Sequence, residues 1–361
     1  MSDPNDQGRR VEQLRRLEQA AQGRPDAMVA VARQYAAAGE KAAAIDLAAR
    51  ALKLTPADGE TATLAAELLS DGVPTWHFGL LRDEARNRAY EAAIERAVRP
   101  GCKVFEIGTG SGILAMMAAR AGAEVFTCES DPAVAAAARA VIAANGLSER
   151  VRVIGRPSFA LDPTEDLRGP ADILVSEIVS NDLLSEGVLA AHADAVARLL
   201  RPGGQVIPAR GRIRVALAYD RQAAATRVGQ VSGFDLAPFN RVARPYFDVR
   251  ADSPRIALRS EPTDLFEFTF SESGPWPDRR RTLALQPFGD RVNGVVQWIA
   301  LDLDDAVRYE NTPGGQTSCW GPLFWPFAEE IDVADGQPIR VGAYHTLDRV
   351  RLWRALSGVA I

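Results

Sequence analysis

Cysteine and histidine are scarce in this 361-residue sequence, and where they fall excludes several kinds of protein. Cys102, Cys128 and Cys319 stand far apart and form no metal-ligand spacing, so a reduced, cytoplasmic setting is expected. His77, His192 and His345 are equally dispersed, and no metal site is expected. No segment approaches the ~20 apolar residues that a membrane span needs. The opening MSDPNDQGRRVEQLRRLEQ is polar and amphipathic, without the apolar core of a secretory signal. No membrane partner is expected. Charge of one sign is lacking too: 42 Lys and Arg against 47 Asp and Glu leave −5, which disfavours nucleic acid held by a broad basic field. A mildly acidic body does suit a cationic acceptor. With 47% apolar and 25% charged residues, the chain has the balance of a soluble globular protein with room for two or three modules.

Three blocks follow one another. Over residues 9–70, Ala and Leu recur with helical periodicity. DAMVAVARQYAAAGE and KAAAIDLAARALKLTP predict one helix–turn–helix, with Gly39 at the turn and Pro56 as terminator. Val31, Ala32, Tyr35 and Gly39 map onto Leu64, Ala65, Leu68 and Gly72, a period resembling a tetratricopeptide repeat. So short a repeat cannot bury a face alone, and residues 1–72 are read either as a partner-binding block or as a helical cap on the next domain. Over 73–208, strands VFEIG, EVFTCE, RVRVIG and DILVSEIV alternate with helices ILAMMAARAG, PAVAAAARAVIAANG and LLSEGVLAAHADAVARLL. That alternation predicts an open, doubly wound parallel sheet, closed by LRPGGQVIPA with Gly203–Gly204 as a turn. From 209 to 361 the period changes to two in RIRVALAY, LFEFTF, TLALQPF, GVVQWIALDL, IRVGAY and RVRLW, which predicts a β-sandwich or barrel.

The segment Glu106-Ile-Gly108-Thr-Gly110-Ser-Gly112 leaves a strand and opens a helix. Glycines there let a ligand approach the backbone and leave amides free to donate. A dinucleotide fingerprint would place its third glycine one residue later. Glu129 ends the following strand, where a carboxylate can accept both hydroxyls of an adenosine ribose. Acid, glycines and second-strand acid together look like the methyltransferase version of the doubly wound fold, with S-adenosylmethionine as cofactor. A tight turn beside an incidental surface glutamate is the alternative.

Glu177 and Glu186 stand nine residues apart at the end of the fourth strand, with Asp182 between them. Ligands bind at that edge of an open α/β sheet. Two carboxylates approach each other cheaply only around a shared cation or proton. A guanidinium, planar and always charged, supplies the cation. Spacing alone equally allows a strand-end surface residue and a helix-start acid.

The stretch Trp76-His77-Phe-Gly-Leu80-Leu-Arg-Asp83-Glu-Ala-Arg86-Asn-Arg-Ala-Tyr90, then EIGTGSG, Cys128-Glu129 and the paired glutamates, resembles the protein arginine methyltransferases over about residues 75–356. The resemblance implies a class I methyltransferase domain followed by a β-barrel. It implies that Arg86 binds the cofactor carboxylate, His77 closes the pocket, Glu129 holds the ribose and Ser158 contacts the adenine amine. Glu177 and Glu186 would clamp the substrate guanidinium. Gly233-Phe234-Asp235 looks like the start of an arm, about 234–250 with exposed Phe239 and Tyr246, through which such enzymes form head-to-tail homodimers.

Two departures stand out. Ser318, Cys319 and Trp320 occupy a barrel loop where the family usually has Thr-His-Trp, which puts in doubt the proton relay with the acid corresponding to Asp83. Cys319 is read as a packing thiol rather than a reactive one. Leu80 replaces a methionine common in the dimethylating branch, and SEIVSNDLLSEG is closer to the monomethylating (type III) branch. Monomethylation of arginine in a protein or peptide is therefore expected. Free L-arginine or a related guanidine is the alternative acceptor, and a silent adaptor the alternative of a different class.

Overall fold

A computed structural model describes residues 4–57, 59–333 and 336–355. The first three residues of the polar opening stretch and the last six of the expected β-domain lie outside the described residues. The chain divides into two compact units: Met1–His77, Glu106–Arg120 and Glu124–Leu161 make up the first, and Phe78–Phe105, Ala121–Ala123 and Asp162–Ile361 the second.

The first unit opens with helices α1 (Pro4–Ala21), α2 (Pro25–Ala37), α3 (Lys41–Leu52) and α4 (Glu60–Ser70). Pro25 sits in the first turn of α2, where its missing N–H costs nothing, and Gly39 takes φ +81° just past the helix end. Met28, Val29, Ala32 and Tyr35 form one buried stripe and Ala44, Leu47, Ala48 and Ala51 the facing one. Small residues on α3 let the two axes come close. The hydroxyl of Tyr35 donates to Glu18 Oε2 at 3.0 Å, and Arg50 pairs with the same carboxylate. One acid thus ties three helices together.

The same unit holds α5's first residues, Trp76 and His77 (α5 spans Trp76–Leu81), and the glycine-rich connection into α7 (Ile113–Arg120). It continues through β2 (Glu124–Cys128), α8 (Pro132–Ala144) and β3 (Val151–Ile154). Strands β2 and β3 run parallel from Val125↔Val151 to Cys128↔Ile154. Asp131 caps α8 through the amides of Ala133 and Val134, and Lys41 at the start of α3 reaches the same carboxylate at 3.1 Å. The helical block therefore packs on α8.

The second unit contains α6 (Glu84–Ala97), β4 (Ala171–Ser176), α9 (Val188–Arg198) and β5 (Leu200–Ile207). β1 (Lys103–Ile107) straddles the division, and the parallel central sheet has the order β3-β2-β1-β4-β5. Two expectations are corrected. Gly203–Gly204 is not a turn: β5 runs through it, and pairing with β4 jumps from Ala171↔Leu200 to Ile173↔Gln205. The glycines absorb an irregularity within the strand, with Gly203 at φ +72°. The helix expected from Leu183 starts only at Val188, because Leu183 and Gly187 both hold positive φ. Residues 177–187 are thereby a loop.

The β-domain comprises β6 (Arg210–Asp220), β7 (Gln230–Val231), β8 (Phe234–Asp235), β9 (Phe247–Asp248), β10 (Ile256–Leu258) and β11 (Thr263–Thr269). It continues with β12 (Arg279–Leu285), β13 (Arg291–Asp302), β14 (Arg308–Glu310), β15 (Leu323–Asp332), β16 (Ile339–His345) and β17 (Val350–Arg354). Its main antiparallel sheet has the order β10-β6-β13-β15-β9, with β11 on β6 and β14 on β13. β13 is buried from Val292 to Asp302, which explains why its apolar run is nearly unbroken. β7 and β8 form a small separate hairpin, the beginning of the expected arm. There Val231, Phe234, Leu236, Phe239 and Val242 are exposed. Tyr246, expected to be exposed, is instead half-buried, tilted against Trp325 at 4.7 Å.

Candidate active site

In the first unit, Gly108, Gly110 and Gly112 take φ of +82°, +51° and +84°, so the loop between β1 and α7 is a run of left-handed turns. Among the described residues, no atom beyond Gly110 and its chain neighbours lies within 4 Å of where a Cβ on Gly110 would stand. Glu129, at the end of β2, accepts the amide of Gly110 at 3.1 Å and that of Asp131 at 2.9 Å. It faces the loop. Glu106 is buried and accepts Thr127 Oγ1 at 2.5 Å, while Thr127 also meets Thr109 Oγ1 at 2.7 Å. This acid therefore braces the loop from beneath. Ser111 Oγ is buried with no hydrogen-bond partner among the described residues, a polar atom that asks for a ligand. Ser158 is buried in a turn after β3, and the half-buried His77 stacks on Trp76 at 3.9 Å. Desolvation lowers the pKa of His77 and favours the neutral ring. Loop, acid and orphaned hydroxyl are a donor set that fits the adenosyl and amino-acid parts of S-adenosylmethionine.

In the second unit, β4 ends at Ser176, one residue before Glu177. That end is pinned twice. Tyr90 donates to the carbonyl of Ser176 at 3.1 Å, and Ser176 Oγ lies 2.6 Å from Nε2 of the buried His192. Burial pushes His192 down to about 4, so its ring is neutral. Glu177 then meets Arg86 Nη2 at 2.8 Å, both side chains almost wholly inaccessible. Glu177 Oε1 and Arg86 Nε remain buried without hydrogen-bond partners among the described residues. Desolvation pushes Glu177 up to about 8, outweighing Arg86, with the charges of Glu186 and Asp83 adding to the rise. The loop thus brings Glu186 within electrostatic range of Glu177. Glu186 reaches solvent, yet enough protein surrounds it that desolvation, followed by Asp182, raises it to about 7. A pair of carboxylates held at such proton affinities is poised to take either protons or a cation.

Asp182 does not join that pair. It accepts Ser180 Oγ at 2.6 Å and the amides of Leu184 and Ser185, so it folds the loop back on itself. The loop Ser318–Cys319–Trp320 comes against α6. The amide of Cys319 donates to Asp83 Oδ2 at 2.9 Å, and Trp320 Nε1 donates to the carbonyl of Val179 at 2.8 Å. Burial, then the charges of Glu177 and Asp83, push the Cys319 thiol far up, so a thiolate is disfavoured.

Comparison with known proteins decides which chemistry this arrangement serves. Over 278 residues, 76% of this chain and 77% of the relative, the sequence is 40% identical to the arginine N(omega)-methyltransferase of Streptomyces achromogenes subsp. streptozoticus. The chain belongs to the arginine N-methyltransferase family. This methyltransferase is also 33% identical over 276 residues to protein arginine N-methyltransferase 7 of Oryza sativa subsp. indica. That match takes in 69% of the chain but spans only 38% of the rice protein. Residues 91–211 match the family described as ribosomal protein L11 methyltransferase (PrmA). Among solved structures, the Trypanosoma brucei PRMT1 enzyme–prozyme heterotetrameric complex with AdoHcy aligns with a TM-score of 0.67 at 21% identity, over 76% of this chain and 88% of that one. Arabidopsis thaliana protein arginine methyltransferase 10 aligns at 0.63 and 22% identity, with the same coverage of each chain. At such identities the likeness is one of fold.

The methyltransferase therefore transfers a methyl group from S-adenosylmethionine to arginine. Sequence reasoning missed Thr127 and His192, each of which acts through a partner brought near only by the fold.

Proposed function

We propose that the enzyme places one methyl group on a terminal guanidino nitrogen of free arginine. The observation that carries a guanidino group as the acceptor is the pair Glu177 and Glu186. Desolvation has raised the proton affinity of both, and a planar guanidinium that pairs with them stabilises their ionised forms, so that a two-pronged anionic fork forms around the cation. Glu177, with one oxygen already on Arg86, would orient the guanidinium. Glu186 would draw positive charge toward one nitrogen and leave the other its lone pair. S-adenosylmethionine supplies an activated sulfonium methyl, so alignment rather than acid–base work carries most of the rate.

Residue roles on the donor side follow the family's pattern. Gly108, Gly110 and Gly112 would admit the cofactor to the backbone, Glu129 would hold the ribose, and Ser158 would contact the adenine. Arg86 would take the carboxylate of the cofactor, Glu106 would support the loop, and His77 would cover it. The loop Ser318–Cys319–Trp320 would border the acceptor. We divide the chain functionally into residues 1–72, 73–208 and 209–361, the first as a helical, repeat-like block. The exposed apolar side chains of the arm support a head-to-tail homodimer. Among the described residues no helix is long and apolar enough to cross a membrane, and we place the enzyme in the cytoplasm.

The choice of free arginine rests on the Streptomyces relative, which matches over most of its own length under a name that specifies arginine. Arginine in a protein or peptide is the second reading, favoured by the names of the rice relatives. Labelled methyl donor offered with free arginine or with an Arg-Gly-rich peptide separates the two. The expected product is labelled monomethylarginine from the free amino acid. Label confined to the peptide would establish the second reading, and label on neither would indicate a silent adaptor.

A further inference from the structure

The buried Asp83 accepts hydrogen bonds from the start of α6, from β14 and from the loop that follows β14. Its Oδ1 accepts the amide of Arg86 at 2.9 Å, capping the helix that carries the Arg86 guanidinium. Its Oδ2 accepts the amide of Cys319 and, at 2.5 Å, the hydroxyl of Tyr309, a residue 226 positions further along the chain. Tyr309 is itself buried, on β14 opposite Leu301 of β13.

The directions of these bonds are fixed by counting protons. Tyr309 gives its single proton to Asp83 Oδ2. Ser318 Oγ, 2.6 Å from the Tyr309 oxygen, then donates its own proton to it and accepts the amide of Trp320 at 3.1 Å. A directed relay runs from Trp320 N–H through Ser318 and Tyr309 to Asp83. Its far end grips the loop bearing the glutamates, since Trp320 Nε1 donates to Val179 and the amide of Gly321 to Asn181 Oδ1 at 3.0 Å. Arg86 and Glu177 are thus joined both directly and by this second route.

We propose that Tyr309 is a positioning residue for methyl transfer, whose hydroxyl sets the Arg86-bearing helix and the Glu177–Glu186 loop in register with each other. The inference rests on the reading of those two glutamates as the guanidinium clamp. Burial, then Asp83, pushes the Tyr309 hydroxyl far above its ordinary range, so it keeps its proton and acts as a fixed donor rather than as a base. The relay also runs through the loop with Cys319 in it, since the amide of that residue donates to Asp83.

The test measures kcat, KM for arginine, cofactor Kd and thermal midpoint for Tyr309→Phe, Ser318→Ala, the double variant and Glu177→Gln. A misplacement of about 1 Å costs up to ~10²-fold in rate, so Tyr309→Phe is expected to lose about 10- to 100-fold in kcat/KM for arginine. Cofactor Kd should weaken by much less than kcat/KM falls, because Arg86 keeps its helix cap from Asp83, and the fold should stay intact. Because Ser318 acts through the same hydroxyl, the double variant should lose no more than Tyr309→Phe alone. A purely structural role would instead lower the thermal midpoint and cofactor affinity with turnover preserved, which overturns the inference. So would Tyr309→Phe and Ser318→Ala at wild-type kcat/KM while Glu177→Gln is inactive. Turnover retained by Glu177→Gln overturns the clamp itself and the inference with it.

Discussion

Arg86 and Glu177 form an ion pair at 2.8 Å that is almost completely withdrawn from water, and each keeps one buried polar atom unused. A structural salt bridge would satisfy those atoms, since leaving them bare in a low-dielectric interior costs free energy. A site awaiting ligands leaves them so. Arg86 Nε is suited to a carboxylate and Glu177 Oε1 to a cation, the two charged groups that the donor and the acceptor bring.

Removing one member of the pair should have a pH-dependent cost. Breaking a buried pair typically costs ~3–5 kcal/mol because a bare charge remains. After Arg86→Met that charge is Glu177, which already holds its proton up to about pH 8 beside the arginine. The variant should therefore be strongly destabilised at pH 9 and much less so at pH 6.5. Denaturant melts at the two pH values check this, and equal losses at both would mean that Glu177 does not take up the charge.

Glu177 should also tie folding to pH in the unliganded enzyme. Its folded pKa of about 8 lies above the ordinary carboxylate range, so between the two values the folded protein binds a proton that the unfolded chain has released. The stability present at acidic pH is lost as pH rises toward 8, by up to ~1.4 kcal/mol per unit for this one group. Glu177→Gln should flatten that slope. Parallel stability curves for wild type and variant from pH 5 to 8 would contradict the assignment.

Arginine binding should release protons for the same reason. Near pH 6.5 Glu177 holds its proton and Glu186 holds one part of the time, and a guanidinium stabilises their ionised forms. Calorimetry in buffers of different ionisation enthalpy should show net proton release on arginine binding at pH 6.5, vanishing by pH 9. KM for arginine should fall across the same window. Proton-neutral binding at both pH values would show that neither carboxyl changes state.

The arm should govern association. Phe234, Phe239 and Val242 are each more than 70% exposed, which a solitary subunit has little physical reason to maintain. Phe234→Asp with Phe239→Asp should convert a dimer to monomers in light scattering while leaving the fold intact. An unchanged mass would remove the arm from the interface.

Much of this was legible in the sequence because it is local. The glycine run announces its positive-φ loop, and period-two alternation announces β6, β11 and β16. The start of β4 is legible in its apolar run, but the expected strand DILVSEIV runs on to Val179 whereas β4 ends at Ser176. Sequence misled where backbone geometry overrode propensity: Gly203–Gly204 reads as a turn, yet the pairing of β4 with β5 carries the strand through it. Leu183 reads as helix, yet it sits at φ +76° in the loop that returns Glu186 toward Glu177. Most hidden was Tyr309, whose bond to Asp83 spans 226 residues and leaves no trace in spacing or composition.

The central claim is that Glu177 and Glu186 together grasp one guanidinium. A crystal structure of the enzyme with S-adenosylhomocysteine and arginine tests it most directly. The expected result is a guanidinium with nitrogens about 3 Å from carboxylate oxygens of both residues, and one nitrogen directed at the cofactor sulfur. Arginine bound elsewhere, or held by one carboxylate while the other turns to solvent, would contradict the account.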